Sequence, residues 1–459
     1  VILIIVFIMM KLSRLALLLS LVPACASEGS PAASADGSSS GGEGDTTAAL
    51  PTSETGPAPT STDPGTTSEA DTTLGPVDDS GTDGTGGDRP ALGATPHPDC
   101  DAALVQYATI VAENAAADPD PTVVELAYFG EDGSGTALQA FVRSAGAELG
   151  RVEDAVLVDD AFITEALLEG PTAERLVDIE TRVDLVMSLV VRDRITRVAD
   201  STPNADVSPA LHYAAWDEAY CYYSGALAAH ADEADLGGTE LDSIAAEIQE
   251  GFEWGHGGVE NDELAFGTDP FAVKPAAQLI AKGMFRGYDR LIEKYAAAAA
   301  ADDDPRAAHR AWGYFQLVED RLAGRNTPGI AIIEAALLGA PGDIDVAEIS
   351  RQLDIAWVKR TRTYTDQAIV DGLFASAEGV KGAYEGRTYA KVIGPAMVEA
   401  LEGFDLAAYL ATFDAYIDAV IADDPVTATP LSEELTLRNC ELQTALGLAE
   451  CTSNTDEPA

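Results

Sequence analysis

From residue 99 onward, apolar side chains recur at the three- and four-residue spacing of a helix face, alanine is abundant, and proline or glycine clusters fall between the periodic stretches. The punctuation lies at Asp118–Pro121, Gly170-Pro171, Pro203–Pro209, Gly255–Gly258, Asp302–Pro305, Pro341-Gly342 and Asp423–Pro430. Only Val156–Val158 approaches a strand. The pattern predicts an all-α domain of about 360 residues, long enough for a sizeable core. Short connections such as Ala199–Ser208, Ala301–Pro305 and Phe374–Gly382 make neighbouring helices antiparallel pairs. Repeated helix hairpins, with further helices over 101–117, 136–150, 163–186 and 405–449, then build one helical bundle or two packed sub-bundles.

What precedes this region has other physics. Met10-Lys11-Leu12-Ser13-Arg14 is basic, Leu15 to Val22 is apolar, and Val22-Pro23-Ala24-Cys25 closes the run with small residues before a cysteine. This is the layout of a secretory signal of the lipoprotein kind over 1–25, with Cys25 as the lipidated residue; an uncleaved anchor is the competing reading. Residues 26–98 are Ser, Thr, Gly, Pro and acidic residues with almost no large apolar side chains, which predicts a disordered tether. The folded domain is expected over 99–459. Both readings place the protein outside the cytoplasm on a membrane, and the lipoprotein reading makes it a lipid-anchored protein of the cell envelope, at the outer membrane or facing the periplasm.

Only twelve of the 77 acidic residues lie in the tether, so the net charge of -50 belongs mostly to the folded part. With 27 Lys and Arg in total, the chain lacks the clustered cations that phosphate backbones require, which excludes nucleic acid as a partner. Of the cysteines beyond Cys25, Cys440 and Cys451 lie close enough for a local disulfide, whereas Cys100 and Cys221 pair only if the fold brings them together. No Cys-x-x-Cys is present, so thiolate zinc is not expected.

Three stretches look like one helix written three times: Asp217–Tyr223, His309–Phe315 and Tyr384–Ala390. Each has a small residue third and a tyrosine sixth, and Glu218 and Glu385 stand four positions before Tyr222 and Tyr389, on the same helical face. Each also follows a helix that carries an arginine at a similar offset: Arg192, Arg286 and Arg360. Carboxylate and phenol oxygens suit a hard cation, and imidazole adds affinity for iron or zinc. Asp217, Glu218, Tyr222 and His212 from the first stretch, His309 from the second and Glu385 from the third are therefore the candidate metal ligands. The competing reading neutralises Glu218 and Glu385 on the preceding arginines, as interhelical salt bridges that bind nothing. His230 and His97 read as surface or helix-end residues. Glu253–Glu263, rich in glycine, reads as a solvated connection or a cover over a site. Zincin, EF-hand, phosphate-loop and nucleophile-elbow motifs are missing from the sequence, and His256 lacks the Gly-x-His-x-x-Glu context of an imelysin-like peptidase-type site. Catalysis is not expected.

Trp216–Gly225, Ala311–Glu319 and Glu385–Pro395 together resemble the algal low-iron-inducible or high-carbon-dioxide-inducible periplasmic iron-assimilating proteins and their bacterial relatives, over roughly residues 175 to 400. Arg387 departs from the aromatic usual there, and His309-Arg310 from an acidic or small pair. The resemblance implies an exported, helical, non-catalytic protein that captures iron, or another divalent or trivalent cation, for a membrane transporter. The alternative is a surface-displayed helical interaction module without metal.

Overall fold

Most helix starts are written as a short polar residue whose side chain accepts a hydrogen bond from the first-turn backbone, often followed at once by proline. The computed structural model describes residues 90–153, 155–201, 208–236, 243–259 and 269–453. Helix α1 spans Pro98–Asn114, α2 Pro121–Phe129 and α3 Ala137–Glu148. A minimal hairpin of β1 (Val152–Glu153) and β2 (Val156–Leu157) leads into α4 (Val158–Leu168) and α5 (Ala173–Asp200). Helix α6 (Pro209–Tyr222) continues through a π-helical turn at Tyr223–Leu227 into α7 (Ala228–Asp235), and α8 spans Ile244–Val259. Then come α9 (Pro270–Asp302), α10 (Pro305–Leu322), α11 (Thr327–Leu337), α12 (Val346–Tyr364), α13 (Gln367–Val370), α14 (Ala377–Ala400), α15 (Leu406–Ile421) and α16 (Pro425–Ala445). Asp120, Asp269, Asp304, Asp345, Asp405 and Asp424 cap α2, α9, α10, α12, α15 and α16, so part of the acidic excess serves to start helices.

Helix α9 is the axis of the fold. It packs against α8, α10 and α14, and also touches α5, α7 and α12, so both halves of the chain bury side chains on it. Helix α5 packs on α6, α9 on α10, and α12 on α14. Trp216, Phe252, Phe285, Tyr288, Tyr314, Trp357 and Tyr389 are among the large side chains removed from solvent in one continuous core. The architecture is all-α, as the periodicity predicts, and among the described residues no helix is long and apolar enough to cross a membrane.

Several boundaries differ from the sequence reading. The fold begins before residue 99: Leu92 packs against the core, and the amides of Gly93 and Thr95 donate to Asp217 at 2.8 and 3.0 Å. The segment 163–186 is split between α4 and α5 by Gly170, whose φ of +83° ends the first helix, and 405–449 is split by a turn before Asp424. The glycine-rich stretch is not a loop up to Val259: it is the end of α8, because a Cβ at Gly255 would come within 2.0 Å of the Trp216 ring, and glycine lets the two helices touch. Residues 260–268 lie outside the described residues, as do Cys25, the signal and the tether up to residue 89. Cys440 pairs with Cys451, and Cys100 with Cys221, which joins the start of α1 to the end of α6.

Candidate functional site

The six residues expected to hold a metal have other partners. Asp217, fully buried, accepts the Gly93 and Thr95 amides, with His256 Nε2 3.5 Å from its Oδ1. Glu218 takes Arg194 Nε at 2.7 Å, and that arginine also binds Glu148 of α3 at 2.8 Å. Tyr222 remains beside Glu218, as the four-residue spacing predicts, but its ring stacks on Phe141 at 4.6 Å, and burial with the Glu218 charge raises its phenol pKa. His212 Nε2 lies 2.9 Å from Ser201 Oγ, and burial lowers its pKa. His309 Nδ1 meets Asp178 Oδ1 at 2.8 Å, a hydrogen bond that raises the imidazole pKa.

Glu385 accepts Tyr364 Oη at 2.7 Å and lies 3.0 Å from Lys282 Nζ; burial opposes its charge, yet these two partners hold the carboxyl below its ordinary range. Among the described residues, no group of three or more His, Cys, Asp or Glu side chains is set to hold a metal ion. Glu218 and Glu385, expected as ligands, are instead each paired with a cation, one with Arg194 and the other with Lys282, rather than with Arg192 and Arg360.

Those two arginines serve elsewhere. Around the Phe285 ring of α9 stand the Arg192 guanidinium of α5 at 4.9 Å, the Arg321 guanidinium of α10 at 5.7 Å and the Lys282 ammonium at 6.0 Å. Around the Tyr389 ring of α14 stand Lys282 at 5.5 Å and Arg360 of α12 at 5.9 Å. Four cations from four helices thus share two aromatic faces, an arrangement each ring favours through its quadrupole but which the cations oppose by mutual repulsion.

Few anions offset them. Arg192 binds Asp320 at 2.7 Å, and Arg321 Nε lies 3.3 Å from the same carboxylate without a hydrogen bond to it. Lys282 has Gln278 at 2.6 Å and Glu385. Arg360 donates Nε and Nη2 to the Arg321 carbonyl, at 3.0 and 2.6 Å, and has no carboxylate partner among the described residues. Tyr389 Oη is buried and has no hydrogen-bond partner among the described residues.

The electrostatics follow from this placement. Burial pushes the Lys282 ammonium down to about 8, with Glu385 opposing and Arg321 and Arg192 adding to the depression. Burial and the neighbouring Arg192 and Arg360 guanidinium groups also lower Arg321. The cluster grades from a buried floor, where Arg192 and Lys282 side chains are 9% exposed, to Arg321 at 38% and Asp320 at 51%. Guanidinium forks on a buried floor with a solvent-facing edge fit carboxylate or phosphate oxygens.

The sequence does not announce this cluster: the offsets of Arg192 and Arg360 suggest glutamate partners, and nothing in the spacing joins Arg321 or Lys282 to them. Nor does it announce His230, which is buried between Asp184 (3.2 Å) and Tyr314 Oη (3.0 Å), with Tyr107 donating to Asp184. Burial opposes a charge on that imidazole, and the Asp184 carboxylate outweighs it and raises the pKa. Comparison with protein-family models, with curated proteins and with solved structures finds no match to this chain.

Proposed function

We propose that this chain is an exported, lipid-anchored helical binding protein, non-catalytic, whose folded region holds an anionic ligand bearing carboxylate or phosphate oxygens. The observation that carries the reading is the gathering of Arg192, Lys282, Arg321 and Arg360 around Phe285 and Tyr389 with, among the described residues, only Asp320 and Glu385 paired to them. In a chain of net charge -50, cations are scarce and carboxylates are everywhere, so a local excess of positive charge is a costly arrangement that a bound anion relieves. An entering anion takes over the place of half-exposed Asp320 on Arg192 and Arg321, and Arg360, whose Nε and Nη2 are held by the Arg321 carbonyl, supplies its Nη1 as a further donor. Export is supported by the basic-apolar-cysteine start of the sequence and by two disulfides, which persist in oxidising compartments.

Iron would be taken by this cluster as an anionic complex, with the ion enclosed by the oxygen ligands of its chelator, for onward passage to a membrane transporter. Calorimetric titration of the full chain with citrate, orthophosphate, ferric citrate and anaerobic ferrous ion tests the proposal. Saturable binding of an anion that weakens in Arg360→Gln is the expected result. Stoichiometric ferrous binding without an anion, lost in Glu218→Ala, would return the ligand role to the carboxylates of α6; no binding of any probe would favour a surface interaction module.

A further inference from the structure

Inside the bundle, where α5, α7 and α9 meet the π-helical turn, five polar atoms are buried without a hydrogen-bond partner among the described residues: Asp184 Oδ2, Ser188 Oγ, Tyr223 Oη, His230 Nε2 and Tyr288 Oη. All five residues are more than nine-tenths removed from solvent. Groups of this kind, gathered in low dielectric, destabilise a fold unless something joins them. Asp184 and Ser188 lie one turn apart on α5, and Tyr223, His230 and Tyr288 line a cavity of about 10 Å³, room for one water molecule or one ion. Burial raises the Tyr288 phenol pKa, and Ser188 and Asp184 act on it too, which sets that hydroxyl beside them.

The far side of each strong donor is already held: Tyr107 donates to Asp184 Oδ1, and Tyr314 Oη lies 3.0 Å from His230 Nδ1. That leaves Oδ2 and Nε2, which stand 3.2 Å apart yet form no hydrogen bond with each other. Two ligand atoms about 2.0–2.1 Å from one tetrahedral ion are about 3.3–3.4 Å apart. An ion pair would instead aim the N–H at the carboxylate.

We infer that Asp184 Oδ2 and His230 Nε2 bind one divalent transition-metal ion in the core of the bundle, with the Ser188 and Tyr288 hydroxyls completing its shell. Carboxylate, imidazole and hydroxyl donors suit zinc and its first-row neighbours, and Tyr107 and Tyr314 orient the two main ligands from behind. Asp184 has no Lys or Arg partner among the described residues, so the ion gives this buried carboxylate its counter-charge. With one carboxylate and one imidazole, the set is distinct from the groups of three His, Cys, Asp or Glu that the described residues lack. The inference does not depend on the anion site.

Titration of the full chain, first stripped with a chelator, with cobalt(II) chloride in a buffer free of carboxylate and phosphate tests it. The expected result is one-to-one binding with the visible absorption of protein-ligated cobalt, displaced by zinc. His230→Gln should abolish the absorption, and the milder Ser188→Ala should weaken binding about tenfold, both with the far-UV circular dichroism of the native chain. His309→Gln, which removes an imidazole outside the site, should leave binding unchanged. No cobalt absorption in the native chain, or absorption retained in His230→Gln, would overturn the assignment and leave Asp184 and His230 as an ion pair.

Discussion

Lys282 Nζ and Glu385 Oε1 lie 3.0 Å apart between α9 and α14, both side chains buried, with Tyr364 as the second donor to the carboxylate. Glu385→Ala would leave an ammonium group in low dielectric beside Arg192 and Arg321 with only Gln278 to solvate it. Breaking a buried pair from one side costs about 3–5 kcal/mol, and urea denaturation should show a loss of that order. Replacing both partners together, Lys282→Met with Glu385→Leu, should cost much less, because no charge is then left uncompensated.

Lys282 also sets a pH dependence. Its ammonium is pushed down to about 8 by burial, whereas an unfolded lysine holds its proton to about 10.4. Between these values the unfolded chain binds the extra proton, so the stability of the fold should rise with pH over that interval. Denaturation midpoints at pH 8, 9 and 10 should climb in the native chain and climb less in Lys282→Met.

Asp354 should act in the opposite sense at lower pH. Burial, with Glu293 and Glu399 nearby, lifts its carboxyl to about 8, while the unfolded value is near 3.9. In the window between, the folded chain holds a proton that the unfolded chain has lost, so stability falls as pH rises through it. Asp354→Asn, which mimics the protonated acid, should raise the melting temperature at pH 8 and leave it nearly unchanged at pH 4.

Two glycines of α8 separate packing from propensity. A Cβ at Gly255 would lie 2.0 Å from the Trp216 ring, while one at Gly257 meets nothing within 4 Å. Gly255→Ala should cost about 1–3 kcal/mol through forced repacking, and Gly257→Ala should add about 0.5–1 kcal/mol through helix propensity. Thermal unfolding of the two variants should therefore move in opposite directions.

The residues show why the fold was legible and the site was not. Helices are local: Asp304-Pro305 and Asp424-Pro425 start α10 and α16 as capping chemistry dictates, and apolar spacing gives the buried faces. Gly255–Gly258 misled because glycine weakens a helix in isolation, and only the distant Trp216 explains its use here. The Glu218–Tyr222 and Glu385–Tyr389 spacings do give shared faces, yet spacing is silent about partners from other helices. Arg194 meets Glu218 and Lys282 meets Glu385, and neither pairing follows from the helical offsets. The meeting of Arg192, Arg321 and Arg360, from α5, α10 and α12, depends on how those helices pack around α9, which no stretch of sequence contains.

The anion site is tested most directly by thermal unfolding of the full chain in citrate against chloride of equal ionic strength. A ligand that binds only the folded state at a hundred times its Kd adds about 2.7 kcal/mol. Citrate or orthophosphate should raise the melting temperature, and the rise should disappear in the Arg321→Gln, Arg360→Gln double variant. Identical melting of the native chain in chloride, citrate and orthophosphate would rule out anion binding at the guanidinium cluster.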